Sequence, residues 1–235
     1  MAGVLTDRVA IVTGGAGALG GAVTSRLLGE GAVVCVPLEI AGHGDTLRER
    51  VATPDRGRLL TEVVDVTDLD AMTRLAGGVV ARHRRIDILV TLVGGFAGGA
   101  LVETDRATWD RMLSMNLTSA FVAARAVVPH MVTAGRGRVV TIASRAVMPP
   151  SAGFIAYTTA KTGVIAFTQA LAQEVRPHGI TVNSILPSTM DTPGNRAAMP
   201  DSDRTGWVPV ERVADAIAFL VRDEAAHVTG ALLTI

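Results

Sequence analysis

The sequence predicts a doubly wound α/β fold, one parallel sheet of about seven strands with helices on both faces, and three observations carry that prediction. Apolar runs of strand length recur near 8–13, 33–37, 60–64, 87–92, 138–143, 180–186 and 231–235, with helix-length segments between them. This rhythm implies βαβ crossovers. Hydrophobic residues make up 49% of the chain and mean hydropathy is +0.38, as expected of strands buried on both faces. A glycine-rich turn separates the first run from the first helical pattern. No Pro/Gly/Ser linker, charge block or low-complexity tract divides the 235 residues, so they read as one domain spanning 1–235.

Taken in order, the first run, Arg8 to Thr13, reads as a buried strand and is followed by Gly14-Gly15-Ala16-Gly17-Ala18-Leu19-Gly20. A helical pattern through Val23, Leu27 and Leu28 then ends at Glu30-Gly31. Strand, glycine turn and helix form the context of a dinucleotide fingerprint. Small residues let the backbone approach a pyrophosphate, and the helix N-terminus turns free N–H groups toward it. Gly14, Gly17, Leu19 and Gly20 are therefore candidate cofactor contacts. The second strand carries the only cysteine, Cys35, which has no partner for an internal disulfide and reads as a core residue. Beyond it stand Leu38 and Glu39, where an acid accepts from an adenosine ribose 2′-hydroxyl. The third strand leads into Asp65-Val66 and a helix starting near Asp68, the fourth into Thr91-Leu92-Val93-Gly94, the fifth into Ser144 and the sixth into Pro187. Ligands of such sheets bind beyond the carboxyl ends of the strands, so these positions are expected to share one crevice.

The helical segment near 158–175 opens on the chain's single tyrosine and single lysine, Tyr157 and Lys161. The other 21 of the 22 basic residues are arginine, so position 161 calls for an amine. Residues i and i+4 share a helix face, which places the ammonium beside the phenol. A nearby cation lowers a phenol pKa that is otherwise about 10 and makes the tyrosine an acid/base.

These residues together resemble the short-chain dehydrogenase/reductase family along nearly the whole chain, which implies a Rossmann-like fold. The family's T-G-x-x-x-G-x-G motif is matched at Thr13, Gly14 and Gly20, with Ala18 at the middle glycine, and only Gly94 remains of the family's N-N-A-G. The resemblance implies that Asp65 and Val66 contact the adenine and that Asn116 kinks a central helix and holds a relay water. It further implies that Ser144 holds the substrate oxygen, that Tyr157 is the acid/base, and that Lys161 tunes the phenol and binds the nicotinamide ribose. The segment Asn183 to Pro187, with Thr192, would touch the nicotinamide. The implied reaction is hydride transfer between a nicotinamide dinucleotide and a carbonyl or secondary alcohol of a small apolar substrate. NAD is expected, because Glu39 would repel a 2′-phosphate and Gly17 is not basic; His43, Arg48 and Arg50 keep NADP open. Two segments, 94–99 and 186–196, are similar to dihydropteridine reductase, although that enzyme typically lacks the serine supplied here by Ser144. Reduction of a quinonoid substrate is thus a second reading, and a dinucleotide-binding sensor or scaffold without turnover a third, motivated by Ala18 and Thr91-Leu92-Val93. Met148, Phe154, Met190, Met199 and Trp207 are expected to make the substrate pocket apolar.

Charge and pattern exclude other classes. With 22 acids against 22 bases the chain is formally neutral, and the cluster Arg82, Arg84, Arg85 reads as solvated surface at a helix end, so no nucleic-acid partner is expected. Five histidines in no ligand spacing predict no metal. No apolar stretch reads as a membrane span and the start lacks a signal-peptide pattern, so a cytoplasmic protein is expected. The end at Ile235 is shorter than usual in the family, which would leave the pocket or a subunit contact more open. Helices near 109–132 and 158–175 carry apolar residues (Phe121, Val122, Val127, Val128, Val164, Ile165, Phe167, Leu171) in excess of one sheet face, which predicts a homo-oligomer, a tetramer or dimer.

Overall fold

Nine strands organise the computed structural model, which describes residues 3–235; Met1 and Ala2 of the predicted domain lie outside the described residues. They are β1 (Val9–Thr13), β2 (Val33–Leu38), β3 (Leu59–Val63), β4 (Ile88–Thr91), β5 (Gly137–Ile142), β6 (Ile180–Leu186), β7 (Met190–Asp191), β8 (Val208–Pro209) and β9 (Leu232–Thr234). Seven form one all-parallel sheet in the order β3-β2-β1-β4-β5-β6-β9, and β7 pairs with β8 apart from it. The seven expected runs are the seven strands of this sheet, each within a residue or two. The chain winds outward from β1 to β3, returns to β4 on the other side of β1, and so places its switch of order between β1 and β4.

The helices are α1 (Ala18–Gly29), α2 (Gly42–Arg50), α3 (Leu69–His83), α4 (Arg106–Leu113), α5 (Ser119–Ala134), α6 (Ile155–Val175), α7 (Pro193–Ala198) and α8 (Val210–Leu220). Alternation within one strand feeds two cores. Ala10 and Val12 face Leu27 and Leu28 of α1 and Ile217 of α8, while Val9 and Ile11 face Met72 of α3, Val127 of α5 and Val175 of α6. That is why the strands are apolar without a period of two. Helix starts are set by side-chain caps: Asp68 accepts from the Ala71 N–H at 3.0 Å and Asp105 from Thr108 at 2.7 Å.

The segment predicted as one helix over 109–132 is divided. A π-turn, Ser114–Thr118, separates α4 from α5 and has the buried Asn116 at its centre. The combined run Arg106–Ala134 is long and apolar enough to cross a bilayer by length and composition alone, a test that core helices also pass, and half of its apolar window is buried within the fold. Of the eight apolar residues read as surplus, Val122, Val127, Val128, Val164 and Ile165 are consumed by the cores, Phe167 and Leu171 pack half-buried against them, and only Phe121 is left exposed.

At the opposite edge, where the strands begin, Asp87 is buried and accepts from the Val9 N–H at 3.0 Å and from the Arg85 Nε at 2.7 Å. Arg8 approaches it at 3.4 Å and Arg136 at 3.7 Å. Asp223 ties Arg8, Arg136 and Arg138 together from the surface side. Arg85 is therefore an anchoring cation, not free solvated charge as its sequence cluster suggested.

Candidate active site

A cavity of about 810 Å³ opens at the carboxyl ends of the central strands, over the switch point. Gly14, Ala16 and Gly17 after β1, Glu39 after β2, Asp65 and Val66 after β3, and Leu92, Val93 and Gly94 after β4 line it. The glycine loop fits a pyrophosphate for reasons visible in its backbone. Gly14 has φ +70°, which favours glycine, and a Cβ there would stand 2.9 Å from the Val93 nitrogen. A Cβ on Gly20 would collide with the Gly14 carbonyl oxygen. Ala18, in contrast, is the first residue of α1 with helical φ, so the extra methyl is accommodated. The N–H groups of Ala18, Leu19 and Gly20 belong to the first helical turn and have no acceptor within it. They are the anion donors this loop offers. Leu19 contributes by backbone alone, because its side chain is buried in the α1 core.

The floor beyond Gly94 is where the chemistry-bearing side chains meet. A Cβ on Gly94 would lie 2.7 Å from Asn116 Oδ1 and 3.2 Å from Lys161 Nζ, so these groups converge on one glycine. Asn116 clamps the next residue from both sides: Oδ1 accepts from the Gly95 N–H at 3.2 Å and Nδ2 donates to the Gly95 carbonyl at 3.1 Å. The π-turn aims this side chain, and Ser114 and Met115 of the same turn line the cavity. Lys161 is 5% exposed and donates to the Ile142 carbonyl at 3.0 Å. Burial pulls its pKa down to about 8. Ser144, just past the end of β5, accepts from the Ala146 N–H at 3.2 Å, and its hydroxyl stands in hydrogen-bonding reach of the Tyr157 phenol.

Tyr157 departs from expectation. Its phenol pKa is raised, chiefly by burial, and the Ser144 hydroxyl opposes the shift. Lys161 contributes no downward pull, because its ammonium is turned to the Ile142 carbonyl instead of the phenol. One aromatic ring meets the tyrosine: Phe96 stands 5.1 Å away in a T-shaped contact, and itself packs on Phe154 at 5.3 Å.

Other candidates are placed as follows. Asp65 lines the cavity while accepting from the Thr67 N–H and hydroxyl at 2.8 and 2.7 Å, which holds its carboxyl below the usual range. His43, Thr46 and Arg50 reach the same cavity, and Arg48 is turned away to the Arg56 carbonyl. Thr192 lies outside the cavity lining and caps α7, accepting from the Asn195 N–H at 3.1 Å. Met190 packs against the α1 core, and Trp207 lies under the Arg204 guanidinium. Both anchor the excursion between β7 and β8. Phe96 was missed as a pocket residue; its place directly after the glycine pair at the end of β4 was the available signal.

The chain matches the family model described as short chain dehydrogenase over residues 8–203. It is 33% identical to acetoacetyl-CoA reductase of Allochromatium vinosum, across 97% of this chain and 96% of that one. It is 35% identical to cis-4-hydroxycyclohexanecarboxylate dehydrogenase of Sinomonas cyclohexanicum, across 100% and 97% respectively. Among solved structures, levodione reductase superposes with a TM-score of 0.90 at 27% identity, covering 98% of this chain and 96% of that one.

Proposed function

The chain belongs to the short-chain dehydrogenase family and is an oxidoreductase working between a nicotinamide dinucleotide and a carbonyl or alcohol; on that premise we propose that Tyr157 is its acid/base. The observation that carries this assignment is the convergence of Gly94, Asn116 and Lys161 at the floor of the cavity, on the same face of α6 as Tyr157. When bound, the dinucleotide supplies or accepts the hydride. The remaining work falls to the chain's side chains. The Ser144 hydroxyl, beside the Tyr157 phenol, donates to the substrate oxygen and polarises it. The phenol of Tyr157 delivers its proton to that oxygen in reduction and withdraws it in oxidation. Its raised pKa keeps the proton in place until substrate charge develops, which suits the reductive direction. Lys161, with a pKa near 8, is mostly protonated at pH 7 yet close enough to neutrality to pass a proton on.

The substrate is taken to be small and apolar, since the Phe96 ring, backed by Phe154, stands against the tyrosine. The relatives include an acyl-thioester reductase and a dehydrogenase of a cyclohexane carboxylate, so chain and ring substrates are the classes to separate. Nothing in the site favours a pterin or a scaffold without turnover.

NAD is the dinucleotide we assign. Glu39 lines the cavity with no cation paired to it among the described residues, so a 2′-phosphate would meet an uncompensated carboxylate. Arg50 lies at the margin, shared with a neighbouring groove between α1 and α8. Fluorescence titration is expected to show NADH binding roughly tenfold tighter than NADPH, the effect of about 1.4 kcal/mol of charge repulsion. The reverse order would refute the assignment and point to Arg50 and His43.

We also assign a homo-oligomer built through α5 and α6. Phe121 remains 48% exposed on α5, with the half-buried Phe167 of α6 beside it at 6.4 Å, and an exposed aromatic ring seated on a second one offers a contact surface. Light scattering at micromolar concentration is expected to give a dimer or tetramer that Phe121→Asp dissociates. A monomeric parent protein would overturn this.

A further inference from the structure

The aromatic contact at the catalytic tyrosine points to the kind of molecule that the site receives. Phe96 is 62% exposed, two residues beyond Gly94 of the cavity lining. It is nevertheless fixed, because the loop that carries it is pinned at both ends. On one side Gly95 is held through both its N–H and its carbonyl by Asn116. On the other the Gly99 N–H donates to the Gly153 carbonyl at 2.8 Å, next to Phe154. Between these anchors Phe96 meets Tyr157 at 71° and Phe154 at 51°. Three of the chain's eight aromatic residues (five Phe, two Trp, one Tyr) thus form one line of contacts, Phe154 to Phe96 to Tyr157, that ends on the one phenol. Gly95 is part of the device. A Cβ on Gly95 would run into the Met115 sulfur, so at that end the loop approaches its neighbour as closely as it does because a side chain is missing.

A ring exposed yet immobilised is a preformed wall, and a wall of aromatic faces favours flat or ring-shaped apolar molecules, which offset-stack or meet it edge to face. A flexible chain gains less from it and loses more freedom on ordering. We propose that Phe96 and Phe154 form a recognition wall for a neutral carbon ring that contains or directly carries the reacting carbonyl or carbinol carbon, with Asn116 as the residue that positions Phe96. This rests on the assignment of Tyr157 as the acid/base. In reduction the carbonyl carbon gains the hydride that the reduced dinucleotide loses, and its oxygen gains the Tyr157 proton, so the ring itself is unchanged.

The test compares kcat/KM for ring and open-chain ketones of equal carbon number, cyclohexanone with hexan-2-one and acetophenone with octan-2-one. The parent protein is expected to favour the ring by about tenfold, the upper range of a geometry-dependent aromatic contact. Phe96→Leu and Phe154→Leu should bring the ratio toward one through a raised KM for the ring, and Phe96→Tyr should keep it. Thermal midpoints of all three variants report folding separately. A parent ratio at or below one, or a ratio unchanged in folded Phe96→Leu, would overturn the wall while leaving the reaction assignment standing. Absence of turnover with every ketone and the corresponding alcohols, in protein that still binds dinucleotide, would overturn the reaction assignment and this inference with it.

Discussion

Replacing Lys161 by methionine is expected to lower kcat/KM by about 10²–10⁴-fold, the range lost with a general acid–base partner, while the protein still folds. Methionine nearly matches the lysine stem in length and removes only the amine. Two opposed effects on stability then nearly cancel at pH 7. The Ile142 carbonyl loses a donor now 3.0 Å away, which costs about 1–3 kcal/mol for a buried acceptor. Against this, a buried charge disappears. The distance between the ordinary lysine value of 10.5 and the folded value of about 8 corresponds to about 3 kcal/mol of destabilisation while the amine is charged. The diagnostic is therefore the pH dependence. Below pH 8 both folded and unfolded lysine hold the proton, and the penalty is complete. Between 8 and 10.5 the unfolded chain binds more protons than the folded one, so stability of the parent protein rises with pH. Lys161→Met should lack that rise. Denaturant unfolding of both proteins from pH 7 to 10.5 measures it, and parallel curves would show that Lys161 does not titrate as a buried amine.

Position 161 also shows how far the sequence was legible. A lone lysine four residues after a lone tyrosine identified the pair, because composition made the exception visible. What it could not reveal was the direction in which the phenol shifts. That depends on where the ammonium points, and the Ile142 carbonyl, nineteen residues earlier in sequence, claims it. The sheet was legible for a comparable reason: strands buried on both faces are apolar throughout, and the glycine turn marks where the first one ends. β7 and β8 were not, since two residues each carry no periodicity. The π-turn at Ser114–Thr118 falls where the resemblance placed a kink, at Asn116; the apolar pattern alone did not mark it, because an extra residue in a helical turn leaves the pattern on either side almost unchanged. Arg85 looked like solvated charge because Arg8 and Asp87, 79 residues apart, meet only in the folded sheet.

Loss of that meeting point should be the largest purely structural effect available in the chain. Asp87→Ala removes the acceptor for the Val9 N–H and the carboxylate that Arg85 pairs with, and leaves Arg8 and Arg136 with Asp223 alone. Asp87 has a side chain only 4% exposed, so water replaces little of what is lost. Breaking a buried pair by removing one partner typically costs 3–5 kcal/mol, since the other partner's charge stays in place uncompensated. For a chain of this size that corresponds to a fall in Tm of roughly 10 °C. Asp223 provides the control: it touches Arg8, Arg136 and Arg138, but its side chain is 65% exposed. Asp223→Ala should therefore cost no more than about 1 kcal/mol, as surface ion pairs do. Both residues stand at the edge where strands begin, across the sheet from Gly14, Lys161 and Tyr157, so dinucleotide affinity per folded molecule should be unchanged in either variant. Calorimetry with dinucleotide titration below the transition separates the two quantities. Equal losses of stability in the two variants would show that burial does not set the strength of this network, and weakened binding in folded Asp87→Ala would show that the two edges of the sheet are coupled.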